Sequence, residues 1–404
     1  MSSPEWDKAG KSILEREKEL NEMDKMLHSN STRKKQNKQK AYDRDLSIYR
    51  ITVRKEVANA RDARRRIEES VDDFLLRATK SVVEALSIAG AEDLGASKYV
   101  YQLISIWFSP LRPRISESMQ ELFTSGVERI PTYRFVPLVN QIFARLGTFD
   151  HFAENLKILV RRMCCDHPYH TLVHLVRLLA DDTVNDKIPR VKAEVAESIL
   201  AEVKRENRLF LQPLVEGYII LCSTYIQFAS LDPNKISLDR KRRCRMSSVQ
   251  RTARLDECLG KGSRKHSFPP CILTKPPQIR PGRDYDGVET IVGFDDSFTI
   301  ADSGLTRPKI IVCNGSFGGK FKQLVKGGDD CRGDSVMEQV FHYVNELFRK
   351  HTVLGDPAIR ETNKIVTYNI VPLNPKTGVS DRPVVLLSEL KLTFSSNFQY
   401  YAGS

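Results

Sequence analysis

One lysine, two glycines and a run of acids carry the most reactive chemistry in the chain. Phe321–Val344 reads FKQLVKGGDDCRGDSVMEQVFHYV. A short alternating apolar segment ends on Lys326. Gly327 and Gly328 permit a sharp reversal that brings carboxylates back within reach of the ammonium. Asp329 and Asp334 are the acids available for that. Asp330 and Arg332 are expected to pair locally. An amphipathic helix follows, and Asp334 near its start would also suit the helix N-terminus. A strand-borne cation facing acids across a tight turn suits the holding of phosphates and the neutralising of charge as a phosphoryl group departs.

The elements that must position this group follow from period-two patterning after Val288. Thr290–Phe294, Ser297–Ile300, Lys309–Cys313, Phe321–Lys326 and Ile365–Leu373 are expected strands. Asn314–Gly319 (NGSFGG) is a hairpin turn. Ser335–Lys350 is a helix with Val336, Val340, Val344 and Leu347 on one face, and Ser335 with Glu338 has capping-box spacing. This is a twisted antiparallel sheet plus one long helix.

The chain before it reads as helices. Residues 3–30 form a charged helix with a narrow apolar face. Residues 45–90 form another, with a stripe of Val71, Phe74, Leu75, Ala78, Val82, Leu86 and Ala89, ended by Gly90. Ser97–Ser109, Arg114–Ile130, Tyr133–Gly147 and His151–Met163 follow, each bounded by Pro or Gly. Paired helices of this length indicate a TPR-like α-solenoid. Cys164, Cys165, His167, His170 and His174 include zinc-ligand types, but Pro168 interrupts them and packing on a helix face explains them better. Residues 232–285, rich in Pro and Ser with the basic cluster Arg240–Arg245, read as a linker or exposed loop. That cluster and the basic stretch at 33–40 suit nuclear import, contact with phosphates, or plain solvation.

The 404 residues allow two or three domains, and 41% apolar content suits a folded chain. A net charge of +12 fits nucleic acid or an acidic partner without defining a fold. Eight cysteines with no CxxC suit free thiols in a reducing compartment. The N-terminus lacks a signal-peptide core. The longest uncharged run, Gly217–Leu231, is short for a span, so a soluble intracellular protein without membrane contact is expected.

The lysine turn VKGGDDCRGD resembles the phosphatidylinositol 3-kinase-related protein kinases, whose string is DDLRQD. The segments YVYQLISIWFSP, IPTYRFVPLVNQIFARLGTFD, DHPYHTLVHLVRLLADD and VEGYIILCSTYIQFASLD resemble the FAT domain of the same family. DHPYH and VKGGDD resemble its ataxia telangiectasia mutated branch. The resemblance implies FAT-type helical repeats over 1–235, a linker over 236–285, a kinase N-lobe over 286–379 and a divergent tail over 380–404. It also implies that Lys326 contacts ATP phosphates, that Asp329 pairs with it, and that Asp334 heads the helix lining the pocket. Ser303, Gly304, Leu305 and Thr306 would cover the phosphates. Pro308, Ile310 and Leu324 would wall the adenine pocket or serve as sheet core.

By the same resemblance the activity is serine/threonine protein phosphorylation from ATP in double-strand-break signalling and telomere maintenance. Its setting would be nuclear, with Ser-Gln substrates, a DNA-break sensor complex and a homodimer of the full protein. Direct DNA contact stays open. Mg2+ is implied, but the resemblance stops near Gly378, before the hinge that would hydrogen-bond adenine and before the catalytic loop and metal motif that would supply the Mg2+ ligands, so no metal ligand is assigned here. The chain read this way is a fragment inactive alone. The alternatives are a non-catalytic helical scaffold and a lipid kinase. Cys331 and Gly333 replace Leu and Gln of the family string, and Gly333 costs helix order of about 1 kcal/mol.

Overall fold

The computed structural model describes residues 4–30, 37–90, 96–180, 187–239, 243–259, 269–301, 306–350 and 365–381. The chain divides into two compact units, Met1–Ala85 with Ser109–Phe123, and Leu86–Phe108 with Thr124–Ser404. Its helices are α1 (Pro4–Asn30), α2 (Asn37–Ile88), α3 (Ala96–Trp107), α4 (Pro113–Arg129), α5 (Val139–Ala144), α6 (Ala153–Asp166), α7 (Pro168–Val176), α8 (Lys187–Glu206), α9 (Leu211–Ala229), α10 (Leu255–Cys258) and α11 (Cys331–Lys350). Among the described residues no helix is long and apolar enough to cross a membrane.

In the first unit α1 and α2 pair through a small core of Met23, Val53 and Val57, with Leu20 and Leu46 packed against it. Tyr49 Oη donates to Glu19 at 2.8 Å across the pair. The expected stripe on α2 is only partly present, with Leu86 buried and Leu75, Ala78 and Val82 half-buried. Val71 and Phe74 are exposed, and Asp72, Thr79 and Val83 are buried instead. Asp72 can turn inward because Arg112 and Arg114 both reach its carboxylate.

In the second unit α6, α7, α8 and α9 pack pairwise, as a helical repeat requires. Gly90 lies just past the end of α2 but has no left-handed φ. The C-terminal carbonyls are met by a side chain instead. The Arg134 guanidinium donates to Ala89 O at 2.8 Å and Gly90 O at 2.9 Å. Tyr133–Gly147 is not one helix. It breaks into two 3₁₀ turns and α5, with Pro137 inside the second turn.

His167, between α6 and α7, and His170 of α7 turn inward against residues 269–290. His167 Nδ1 lies 2.7 Å from Tyr285 Oη, and His170 Nε2 lies 2.7 Å from Pro277 O. Cys164 is buried, and His167 and His170 pack against Tyr285 and Pro277. Burial, only partly opposed by Asp166, lowers His167 to about 4. Unfolded, it titrates near 6.5. The unfolded chain therefore binds the extra proton between those values, and stability present above pH 6.5 is lost as pH falls toward 4. That amounts to about 3 kcal/mol at most for this residue. The thermal midpoint should drop through this window, and His167→Gln should flatten the drop.

The expected linker is a correction. Arg243–Arg245 forms strand β1, and Cys244, Met246, Leu255, Cys271, Ile272 and Leu273 are buried. The sheet thus starts well before residue 286. Its other strands are β2 (Ile291–Phe294), β3 (Ser297–Ile300), β4 (Lys309–Gly315), β5 (Lys320–Gly327), β6 (Ile370–Asn374) and β7 (Thr377–Ser380). The order is β1-β3-β4-β5-β7-β6, with β2 also on β4 and every pairing antiparallel. The expected Ile365–Leu373 strand begins only at Ile370, and a second strand, β7, follows it.

Candidate functional site

Alternation along β5 separates two chemistries. Gln323 and Val325 face α9, where Tyr225 Oη donates to Gln323 Oε1 and Gln323 Nε2 donates to Thr274 Oγ1 at 3.3 Å. Leu324 and Lys326 point to the other face. Ile310 of β4 lies directly across from Leu324. Gly378 of β7 lies across from Lys326. A Cβ on Gly378 would come within 2.7 Å of Cys331 Cβ and Sγ. The glycine lets the first turn of α11 close over the strand beside Lys326.

That closure brings the acids in. Lys326 Nζ lies 3.4 Å from Asp334 Oδ2 and 3.7 Å from Asp329 Oδ2. Burial of Lys326 pulls its pKa down. The neighbouring Cys331, Asp334 and Asp329, with the Tyr368 hydroxyl, outweigh that, and the ammonium sits above the ordinary lysine range. The turn between them is tight. Gly328 takes φ +76°, and the backbone N–H groups of Gly328 and Asp329 both donate to Lys376 O, at 2.7 and 3.3 Å. The β6–β7 hairpin turn therefore braces the lysine turn.

The helix starts earlier than its pattern suggested. Asp330 Oδ1 accepts from Arg332 N at 3.0 Å, the N-cap contact of a helix beginning at Cys331. The Arg332 guanidinium, at 2.8 Å, and its backbone N–H hold Asp330 below the usual carboxylate range. The capping box of Ser335 and Glu338 does not form, because both lie inside α11, and Glu338 Oε2 accepts from Tyr368 N at 3.1 Å. Tyr368 is a site neighbour that the sequence pattern did not single out. It precedes the strand start, and only the fold puts it beside Lys326 and Asp334.

Of the remaining expected site residues, Ser303, Gly304 and Leu305 lie outside the described residues. Thr306 is half-buried, and its Cγ2 would sit 3.9 Å from a Cβ on Gly328, next to the lysine turn. Pro308 and Leu324 are buried and Ile310 is half-buried. Pro308 O accepts from Ala301 N at 2.8 Å, between the end of β3 and the start of β4.

Asp329, Cys331 and Asp334 are the one group among the described residues whose ligand atoms lie within 4.8 Å of one another. They do not fit Mg2+. Burial pushes the Cys331 thiol up to about 11, so it stays protonated, and both carboxylates face the ammonium. Mg2+ requires an octahedral shell of oxygens.

Gly333 stands in the first turn of α11, exposed, with open space where a Cβ would go. Gly333→Ala should therefore stabilise α11 by about 0.5–1 kcal/mol. Slower hydrogen exchange in residues 334–340 would show it.

An antiparallel sheet carrying a lysine against two acids at the head of one long helix, preceded by packed helical repeats, defines the small lobe of a kinase on a FAT-type scaffold. No protein-family model matches the chain. Curated relatives do. The chain is 28% identical to the serine/threonine-protein kinase ATM of Arabidopsis thaliana over 94% of its own length and 9% of the relative's. It is 29% identical to the serine-protein kinase ATM of Sus scrofa, over 82% and 11%. It is 30% identical to the serine/threonine-protein kinase tel1 of Neurospora crassa, over 78% and 10%. It therefore spans about a tenth of the length of these relatives. Among solved structures, the open conformation of CtTel1 shares the fold with a TM-score of 0.69 at 21% identity, over 95% of this chain and 13% of that one. The FAT and kinase domain of CtTel1 gives 0.67 over 95% and 24%. These relatives and fold neighbours support a fragment of the ATM/Tel1 branch of the phosphatidylinositol 3-kinase-related protein kinases that covers FAT and kinase N-lobe segments.

Proposed function

We propose that this chain supplies the ATP-phosphate-binding half of an ATM-like serine/threonine protein kinase. The observation that carries the reading is the ammonium of Lys326 within 3.7 Å of both Asp329 and Asp334 on the open face of β5. In this role Lys326 neutralises phosphate charge, Asp329 and Asp334 orient it, and Thr306 stands next to the lysine turn. Pro308, Ile310 and Leu324 form the apolar wall for the base. The preference for a protein substrate follows the names of the relatives and counts against a lipid substrate.

The larger assembly would work in the nucleus, in break signalling and telomere maintenance. It would phosphorylate Ser-Gln sites and answer to a DNA-break sensor complex. Homodimerisation of the full protein draws support from a complete CtTel1 dimer with C2 symmetry, which shares this fold with a TM-score of 0.66.

An acyl phosphate of ATP, which transfers its acyl group to an amine beside the bound phosphates, tests the reading on the 404-residue chain. Acylation mapped to Lys326 and suppressed by excess ATP is the expected result. No ATP-protected labelling anywhere would favour the non-catalytic scaffold.

A further inference from the structure

The end of α9 meets the sheet through one carbonyl. Ala229 O belongs to the last turn, whose carbonyls lack intrahelical donors. Lys309 Nζ donates to it at 2.7 Å, and Lys309 is only 2% exposed. A buried ammonium ordinarily needs a partner of opposite charge. Here it has the negative end of a helix; burial pulls its pKa down to about 8, and the charge of Asp232 on the following turn opposes that. The same carbonyl is approached from β5, since a Cβ on Gly327 would lie 2.4 Å from it. Farther along the turn, Asn234 Oδ1 accepts from Arg307 Nη1 at 3.0 Å. Arg307 holds a left-handed φ of 43° just before β4. The stretch from Ala229 to Asn234 thus touches the chain on leaving the β3–β4 loop and again one residue past Lys326.

We propose that Lys309 is a positioning residue. Its ammonium on Ala229 O, assisted by Arg307 on Asn234, clamps the end of α9 to β4 and β5 and so fixes where Lys326 Nζ meets a nucleotide phosphate. The inference rests on the ATP reading of Lys326 given above. Lys309 itself points to the α9 face of the sheet, opposite Val325, and takes no part in binding phosphate.

Lys309→Met in the 404-residue chain keeps the length of the side chain and removes the cation. Acyl-phosphate labelling of Lys326 should fall about tenfold, the equivalent of one pKa-sized loss of interaction. Hydrogen exchange at Leu324–Gly327 should rise while the thermal midpoint changes little. A merely structural lysine would lower the midpoint and leave labelling of the folded fraction intact, and that result overturns the proposal. If Lys309→Met does not fold, Asn234→Ala decides, because its side chain pairs on the surface. A two- to threefold loss of labelling, about 0.5 kcal/mol by the same conversion, is expected, and no loss overturns the clamp. A wild-type chain whose Lys326 resists ATP-protected acylation sinks the nucleotide reading and the clamp's role with it. Normal wild-type labelling with undiminished labelling in both variants sinks the clamp alone.

Discussion

Lys326→Met is expected to weaken binding of a fluorescent ATP analogue by about 100-fold. A hydrogen bond to a charged group is worth about 1.5–3 kcal/mol, and each 1.4 kcal/mol is a factor of ten. The side chain is 22% exposed, so solvent screens it only in part. Removing the cation also leaves Asp329 and Asp334 facing the phosphates without their counter-charge. The loss should therefore reach the upper end of that range. Folding stability should change by less than about 1 kcal/mol, because both acids are nearly half exposed and pairs of this kind contribute little. Anisotropy titrations at fixed ionic strength would measure the affinity and urea unfolding the stability. The double variant Lys326→Met with Asp334→Asn should lose less than the two single variants added together, because residues in contact are not independent. Full additivity would mean that the acid acts on the nucleotide by a separate route.

The sheet was legible because apolar alternation and turn chemistry agreed. Thr290–Phe294, Ser297–Ile300 and the two strands around NGSFGG lie within a residue or two of β2, β3, β4 and β5. What escaped depended on partners distant in sequence. In β1 only Cys244 buries its side chain between two exposed arginines, so a strand made by pairing with β3 looks like a basic linker. The start of α11 was masked by two competing caps. Asp330 and Ser335 both suit an N-cap, and only the fold shows Glu338 committed to Tyr368 N. For the site, Lys326 and its acids could be read because their spacing is local. Lys309 and Tyr368 could not, because their roles depend on α9 and on the β6–β7 hairpin.

The two glycines after Lys326 look alike in sequence and differ in the structure, which makes Gly327→Ala the sharper test of the fold. Both were expected to be turn glycines. Gly328 is one, with φ +76° and nothing closer than 3.9 Å to a Cβ. Gly328→Ala should cost about 1–2 kcal/mol, the penalty for an L-residue in left-handed backbone. Gly327 has no positive φ, yet its Cβ would fall 2.4 Å from Ala229 O and 2.9 Å from Ala229 C. These are backbone atoms of α9 and cannot swing aside as a flexible side chain would. Either β5 backs off the helix, straining Lys309 Nζ on the same carbonyl, or the last turn of α9 unwinds. Overpacking of this sort costs about 1–3 kcal/mol and sometimes more. Gly327→Ala should therefore destabilise the sheet by about 3 kcal/mol, read as faster hydrogen exchange across β4 and β5, whereas Gly328→Ala should leave those strands protected. Because the displaced residue is next to Lys326, Gly327→Ala should also weaken binding of the ATP analogue about tenfold, as expected when a contact of about 1.4 kcal/mol is misplaced. Equal exchange in the two variants would show that α9 does not press on β5 at this point.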